Sequence, residues 1–281
     1  MVRGIYTGAS GMIVQMKRID VVSNNLANVN TPSYKRDLTI FKSFPEMLIH
    51  RINDDGVRVL PIGSYDLMPI VGKLGTGVEV NEVYTQFTQG SFIRTDNQFD
   101  LALEGKGFFA VQTPDGERYT RNGSFLVDKD GYLVTKDGYR VLGENGPIQI
   151  KKNNFIVDED GNVFINARYM QDPNRLVDPS ENEWDQTILV DRLKIIDFPK
   201  LRYVKKVGES LYRETEYSGT PFVIQTGRPK VRQGFIEASN VNPVVEMVRL
   251  IEVHRNYEAN QKAIQSHDQM LGRVINEVGK V

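Results

Sequence analysis

The 281-residue chain contains no cysteine, so disulfides and thiolate metal sites are excluded from the start. Histidine is scarce, with only His50, His254 and His267. His254 and His267 fall in one helical stretch, about 20 Å apart at 1.5 Å per residue, and cannot share a metal within one chain. No apolar run exceeds a few residues, so no membrane-spanning helix is expected. Neither sign of charge prevails, 35 basic residues standing against 36 acidic ones. A nucleic-acid or anionic-membrane partner would need a basic excess that this chain lacks. Met1-Val2-Arg3-Gly4-Ile5-Tyr6 shows no basic segment followed by an apolar one, so no cleaved secretory signal is expected.

Catalytic and cofactor motifs are missing too. Asp128 to Gly131 and Asp158 to Gly161 resemble the start of a calcium loop. Their glycine comes fourth instead of sixth, and no glutamate closes the loop. Turn chemistry accounts for them, because Asp and Gly tolerate left-handed backbone angles. Gly72-Lys73-Leu74-Gly75-Thr76-Gly77 lacks the Gly-Lys-Ser/Thr ending of a phosphate loop. Gly105-Lys106-Gly107 runs into Phe108-Phe109-Ala110-Val111, a strand where a phosphate cradle needs a helix N-terminus. No serine sits in a Gly-x-Ser-x-Gly elbow, and no carboxylate pair is marked out by its surroundings. Neither an enzyme nor a cofactor or metal site is expected.

What is present begins at the two ends. Ile5, Met12, Ile19 and Leu26 lie seven apart, and Ala9, Met16, Val22 and Val29 lie beside them, a heptad-like helical stripe. It stops at Asn30-Thr31-Pro32, where proline biases Thr31 towards an extended conformation. Leu250, Tyr257, Ile264, Leu271 and Val278 repeat the device, flanked by Met247, Val253 and Val274. That helix is expected to begin near Pro243, a residue suited to the first turn, with Asn242 as its cap.

Between the ends the pattern changes to strands and tight turns. Asp115-Gly116, Asp130-Gly131, Asp137-Gly138 and Asp160-Gly161 each lie among β-branched or aromatic residues, a strong hairpin cue. Phe125-Leu126-Val127-Asp128-Lys129-Asp130-Gly131 is echoed thirty residues later by Phe155-Ile156-Val157-Asp158-Glu159-Asp160-Gly161. Two copies are too few for a solenoid and read as two similar hairpins. Residues 36–84 mix polarity with several Pro and Gly and read as a long connector. The expected architecture is α+β. Residues 85–239 form a mainly β central domain, while residues 1–35 and 240–281 supply helices that pair as a coiled-coil-like assembly domain.

Those nine seven-spaced residues, from Ile5 to Val278, are the candidate assembly interface. Val14 and Val21, and Val244 and Val248, are apolar off the main lines. A helix pair needs one stripe, so extra apolar flanks point to neighbours on several sides. The competing reading docks a helical hairpin on the β-domain of the same monomer.

Particular motifs carry a family resemblance. Ala9-Ser10-Gly11-Met12, then Ile19-Asp20-Val21-Val22-Ser23-Asn24-Asn25-Leu26-Ala27-Asn28-Val29-Asn30-Thr31-Pro32, resembles the N-terminal signature of flagellar rod and hook proteins. Gly234-Phe235-Ile236-Glu237-Ala238-Ser239-Asn240-Val241-Asn242 resembles their C-terminal stretch, as do Arg255-Asn256-Tyr257-Glu258 and Asp268-Gln269-Met270-Leu271. In the middle, Thr88-Gln89-Gly90, Asp100-Leu101-Ala102-Leu103, Gly107-Phe108-Phe109 and Tyr119-Thr120-Arg121-Asn122-Gly123-Ser124-Phe125 are similar to the family's β-domain. Ser33 stands where the family usually has Gly, and His254 where Gln is usual. The resemblance implies a basal-body rod subunit of the FlgF/FlgG kind, located in the periplasmic rod. Its implied partners are itself, other rod and hook proteins and the flagellar export apparatus, which would carry it out without a cleaved signal peptide. A hook protein, a peptidoglycan-binding β-module and a cell-wall enzyme are the alternatives, the last needing a carboxylate pair at glycosidase spacing.

Overall fold

The computed structural model describes residues 2–51, 57–60, 63–66, 70–150, 155–166, 187–208, 210–225 and 227–278. Of residues 2, 57–60, 63–66, 166 and 278 it describes the backbone alone. The chain is mainly β, with a helix at each end, and divides into two compact units. One comprises Met1–Leu26, Asp37–Tyr84 and Pro243–Val281; the other comprises Ala27–Arg36 and Thr85–Asn242.

In the first unit the N-terminal helix spans Val2–Ala27 and the C-terminal helix Pro243–Arg273, continued by a π-helical turn at Val274–Val278. The second helix begins at the proline, which fits where the first helical N–H has no intrahelical partner. Residues 36–84, read from sequence as a connector, contain strands. Asp37–Ser43 pairs with Val78–Thr85, and Met47–His50 pairs antiparallel with Ile70–Leu74. Val57–Leu60 and Gly63–Asp66 make a further hairpin. The reason they escaped notice is physical. All four residues of Met47–His50 are exposed, so no buried face imposes an alternation of apolar and polar residues.

The second unit is built on a nine-stranded sheet whose central strand is Phe108–Thr113. Gly116–Thr120 pairs with it on one side, through a turn at Asp115-Gly116, with Tyr119 opposite Ala110. Arg140–Val141 and Ile195–Asp197 share its other side. Phe109 and Val111 enter one apolar core with Leu101, Leu103, Phe125, Leu133 and Ile195. Phe108 and Ala110 enter a second core with Tyr119, Phe198 and Tyr212. A strand buried on both faces reads as an unbroken apolar run, which is the pattern of residues 108–111.

The echoed segments fold alike. In the first, Asp128 N–H donates to Tyr132 O (2.9 Å) and Gly131 N–H to Asp128 O (2.9 Å). In the second, Asp158 N–H donates to Asn162 O (3.0 Å) and Gly161 N–H to Asp158 O (2.9 Å). Gly131 and Gly161 have φ of 83° and 80°, the left-handed region that the turn requires. The first hairpin belongs to the nine-stranded sheet and the second to a three-stranded one, yet Phe125 and Phe155 line the same core.

Candidate functional site

Within the first unit the two terminal helices approach closely and run antiparallel. A Cβ built on Gly4 would lie 2.7 Å from Nε2 of His267; one on Gly8, 2.8 Å from Cγ1 of Ile264; one on Gly11, 2.9 Å from Nδ2 of Asn260. Glycine at these three positions lets the backbone of one helix rest on side chains of the other. Along the C-terminal helix, Glu246, Leu250, Val253, Tyr257, Asn260, Ile264, His267 and Leu271 are all buried or half-buried, at alternating steps of four and three. The N-terminal helix shows the same series at Gly4, Gly8, Gly11, Gln15, Arg18, Val22 and Asn25.

The sequence-derived interface residues sit on or beside these series. Ile5, Met12, Ile19 and Leu26 are half-buried, as are Leu250, Tyr257, Ile264 and Leu271, while the side chain of Val278 lies outside the described residues. Ile264 faces Gly8 of its own chain. Beside that series the N-terminal helix also buries Val14. Asn25 accepts from Asp37 N–H and donates to Asp37 O, both at 2.9 Å, copying a strand partner at the helix end. Ser10 Oγ accepts from Val78 N–H at 3.3 Å.

The second unit holds a buried polar cluster that periodicity could not reveal. Its centre is Glu237, 1% exposed, in the strand Phe235–Glu237. Its carboxylate accepts from Lys35 Nζ (2.6 Å), Arg121 Nε (2.8 Å) and Gly90 N–H (2.9 Å). Lys35 also donates to Thr88 O at 2.9 Å. The remaining nitrogens of Arg121 donate to the carbonyls of Gly105, Gly107 and Leu103. Gln89 clips the same loop, donating to Leu103 O (2.9 Å) and accepting from Gly105 N–H (3.3 Å). Close by, Asn240 accepts from Arg36 N–H (2.8 Å) and donates to Gln86 O (2.8 Å) and Thr88 Oγ1 (2.9 Å).

Every charge here is expensive to bury alone, and the cluster survives because its groups answer one another. Burial pushes the Glu237 carboxyl up, but Arg121 and Lys35 together outweigh it and hold it below the ordinary value of 4.5. Burial pulls the Lys35 ammonium below its ordinary value, against the attraction of Glu237. The firm member of the cluster is the ionised carboxylate, because two cations and a backbone N–H converge on it. Ser33 N–H donates to Glu237 O at 2.7 Å, and Ser33 itself is buried with φ of 58°. The residues holding this cluster come from motifs spread over the whole sequence: Lys35, Thr88-Gln89-Gly90, Arg121, Glu237 and Asn240.

Family models match three stretches of the chain. Residues 5–35 match the flagella basal body rod protein model, 102–165 the D1 domain of the flagellar hook protein FlgE/F/G model, and 232–277 the C-terminal model of flagellar basal body rod FlgEFG proteins. The chain is 33% identical to the flagellar basal-body rod protein FlgG of Buchnera aphidicola subsp. Acyrthosiphon pisum, covering 98% of this chain and 99% of the relative. The chain belongs to the flagellar rod and hook protein family. Other members include the flagellar hook-basal body complex protein FlhO of Bacillus subtilis, 32% identical, and the basal-body rod protein FlgF of Caulobacter vibrioides, 30% identical, each aligned over 100% of both chains. The three matched stretches of this rod and hook protein contain Lys35, Arg121 and Glu237, one each. No helix among the described residues is long and apolar enough to cross a membrane.

Proposed function

We infer that this chain is a structural subunit of the bacterial flagellar basal-body rod, acting by polymerisation and not by catalysis. It forms part of the drive shaft between motor and hook, with itself and other rod and hook proteins as neighbours. The observation that carries the reading is likeness to FlgG proteins over essentially the whole length of both chains. The hook alternative is not favoured, since these relatives are named as rod proteins.

The polymerising element in this reading is the pair of terminal helices, arranged as a coiled-coil-like assembly domain. Supporting it are the three-and-four spacing of buried positions and the close approach at Gly4, Gly8 and Gly11. Leu250, Tyr257, Ile264 and Leu271 lie in the seam of the pair, and Ile5, Met12, Ile19 and Leu26 flank it. They are only half-buried in the single chain, so neighbouring subunits complete their burial. The subunit reaches the periplasmic rod through the flagellar export apparatus. The cluster around Glu237 holds the segments that flank the two helices, residues 33–36 and 237–240, on the β-rich unit.

Sedimentation and electron microscopy of the purified chain over a range of concentrations test this reading. Filamentous or tubular polymers are expected at high concentration. In the source bacterium, deleting the coding sequence is expected to abolish motility and leave basal bodies without a complete rod. Normal flagella in the deletion strain would overturn the assignment.

A further inference from the structure

The two buried cations around Glu237 are not fully answered by the groups they touch. A lysine ammonium carries three N–H donors and an arginine guanidinium five. Lys35 donates to Glu237 and to Thr88 O. Arg121 donates to Glu237 and to the carbonyls of Gly107, Leu103 and Gly105. One N–H of each residue is therefore left without an acceptor among the described residues. The charges do not balance either. Two cations share one carboxylate, and their side chains are only 2% and 6% exposed. Burial, with the Arg121 charge adding to it, pulls the Lys35 ammonium below its ordinary value against the attraction of Glu237.

Lys35 and Arg121 line one cavity of the second unit. Lys106 stands at its rim, exposed and without an ion-pair partner among the described residues. No carboxylate among the described residues lines the cavity, so its charged groups are all cationic. Much of the remaining wall is apolar. Phe87 and Phe108 meet edge to face with ring centres 5.5 Å apart, and Leu201 joins them. The cavity measures about 250 Å³, against roughly 150 Å³ for one that holds a benzene ring.

We propose that this cavity binds a small monocarboxylate with an apolar body. The carboxylate takes the spare N–H groups of Lys35 and Arg121, with Lys106 closing over it, and the apolar body lies against Phe87, Phe108 and Leu201. One negative charge offsets the surplus positive charge that burial makes costly. Phosphate fits less well, because the two rings and Leu201 would strip its water without replacing it. The inference stands apart from polymerisation, and either can fail without the other.

Isothermal titration of the full-length chain with hydrocinnamate, a phenyl ring on a short carboxylate chain, tests the site. Saturable binding is expected with a Kd of about 1 mM or below. The uncharged amide of the same compound should bind at least about tenfold more weakly, as should inorganic phosphate and acetate, which lack the ring. In spectra of methyl-labelled protein the bound ring should show nuclear Overhauser contacts to the Leu201 methyls. Lys106→Glu, at an exposed position, should weaken binding several-fold and leave the melting temperature of the ligand-free protein unchanged. No saturable binding, equal binding of the amide, ring contacts that bypass Leu201, or an affinity indifferent to Lys106→Glu would each overturn the proposal.

Discussion

Gly8 and Ile264 meet across the antiparallel helices, a Cβ on the glycine falling 2.8 Å from Cγ1 of the isoleucine. Ile264 is β-branched and has little freedom to yield. Gly8→Val should therefore lower the stability of the helix pair by about 1–3 kcal/mol, as overpacking does. Gly272, near the end of the other helix, has nothing within 4 Å of a built Cβ. Gly272→Ala should instead stabilise by roughly 0.5–1 kcal/mol through helix propensity. Thermal unfolding of both variants followed by far-ultraviolet circular dichroism checks the opposed signs.

The Glu237 cluster predicts both a mutational loss and a pH dependence. Glu237→Gln leaves Lys35 and Arg121 buried without their counter-charge and should cost about 3–5 kcal/mol. In the parent, the folded carboxyl titrates below its ordinary 4.5. The unfolded chain then binds a proton that the folded one refuses as pH falls through that value. The cluster's contribution is present above about pH 4.5 and lost progressively below it. Melting curves between pH 3 and 7 should show the parent losing stability at the acidic end more steeply than Glu237→Gln.

Ser33 holds a left-handed backbone angle, φ 58°, and its buried hydroxyl has no hydrogen-bond partner among the described residues. Glycine removes the steric cost of that angle and the unpaired hydroxyl together. Ser33→Gly should raise stability by about 1 kcal/mol, and Ser33→Thr, β-branched at the same angle, should lower it. Differential scanning calorimetry of the two variants against the parent gives the answer.

Gly123 has no room for a side chain, since a Cβ there would lie 1.6 Å from Leu101 O. Leu101 N–H donates to Gly123 O at 2.9 Å, so relief of the clash breaks a backbone contact beside the main core. Gly123→Ala should destabilise by more than about 3 kcal/mol, beyond the usual range for one substitution. Urea unfolding followed by tryptophan and tyrosine fluorescence would register it, and an unchanged midpoint would refute the close approach.

The sequence determined by itself whatever depends on local spacing. Seven-residue steps marked both helices, and Asp-Gly pairs marked the turns at Gly131 and Gly161, because helix periodicity and left-handed turn angles are properties of neighbouring residues. Absence of cysteine excluded disulfides and thiolate sites by composition alone. Strands without a buried face, such as Met47–His50, left no periodic trace and were legible only once paired. The tertiary structure alone decided which face of each helix meets the other, since Gly4, Gly8 and Gly11 carry no hydrophobic signal and act only through their missing Cβ atoms. It also gathered Lys35, Arg121 and Glu237, unremarkable charges in a chain with 35 basic and 36 acidic residues, into one buried site. A buried ion cluster is set by distance and dielectric, and neither exists until the chain has folded.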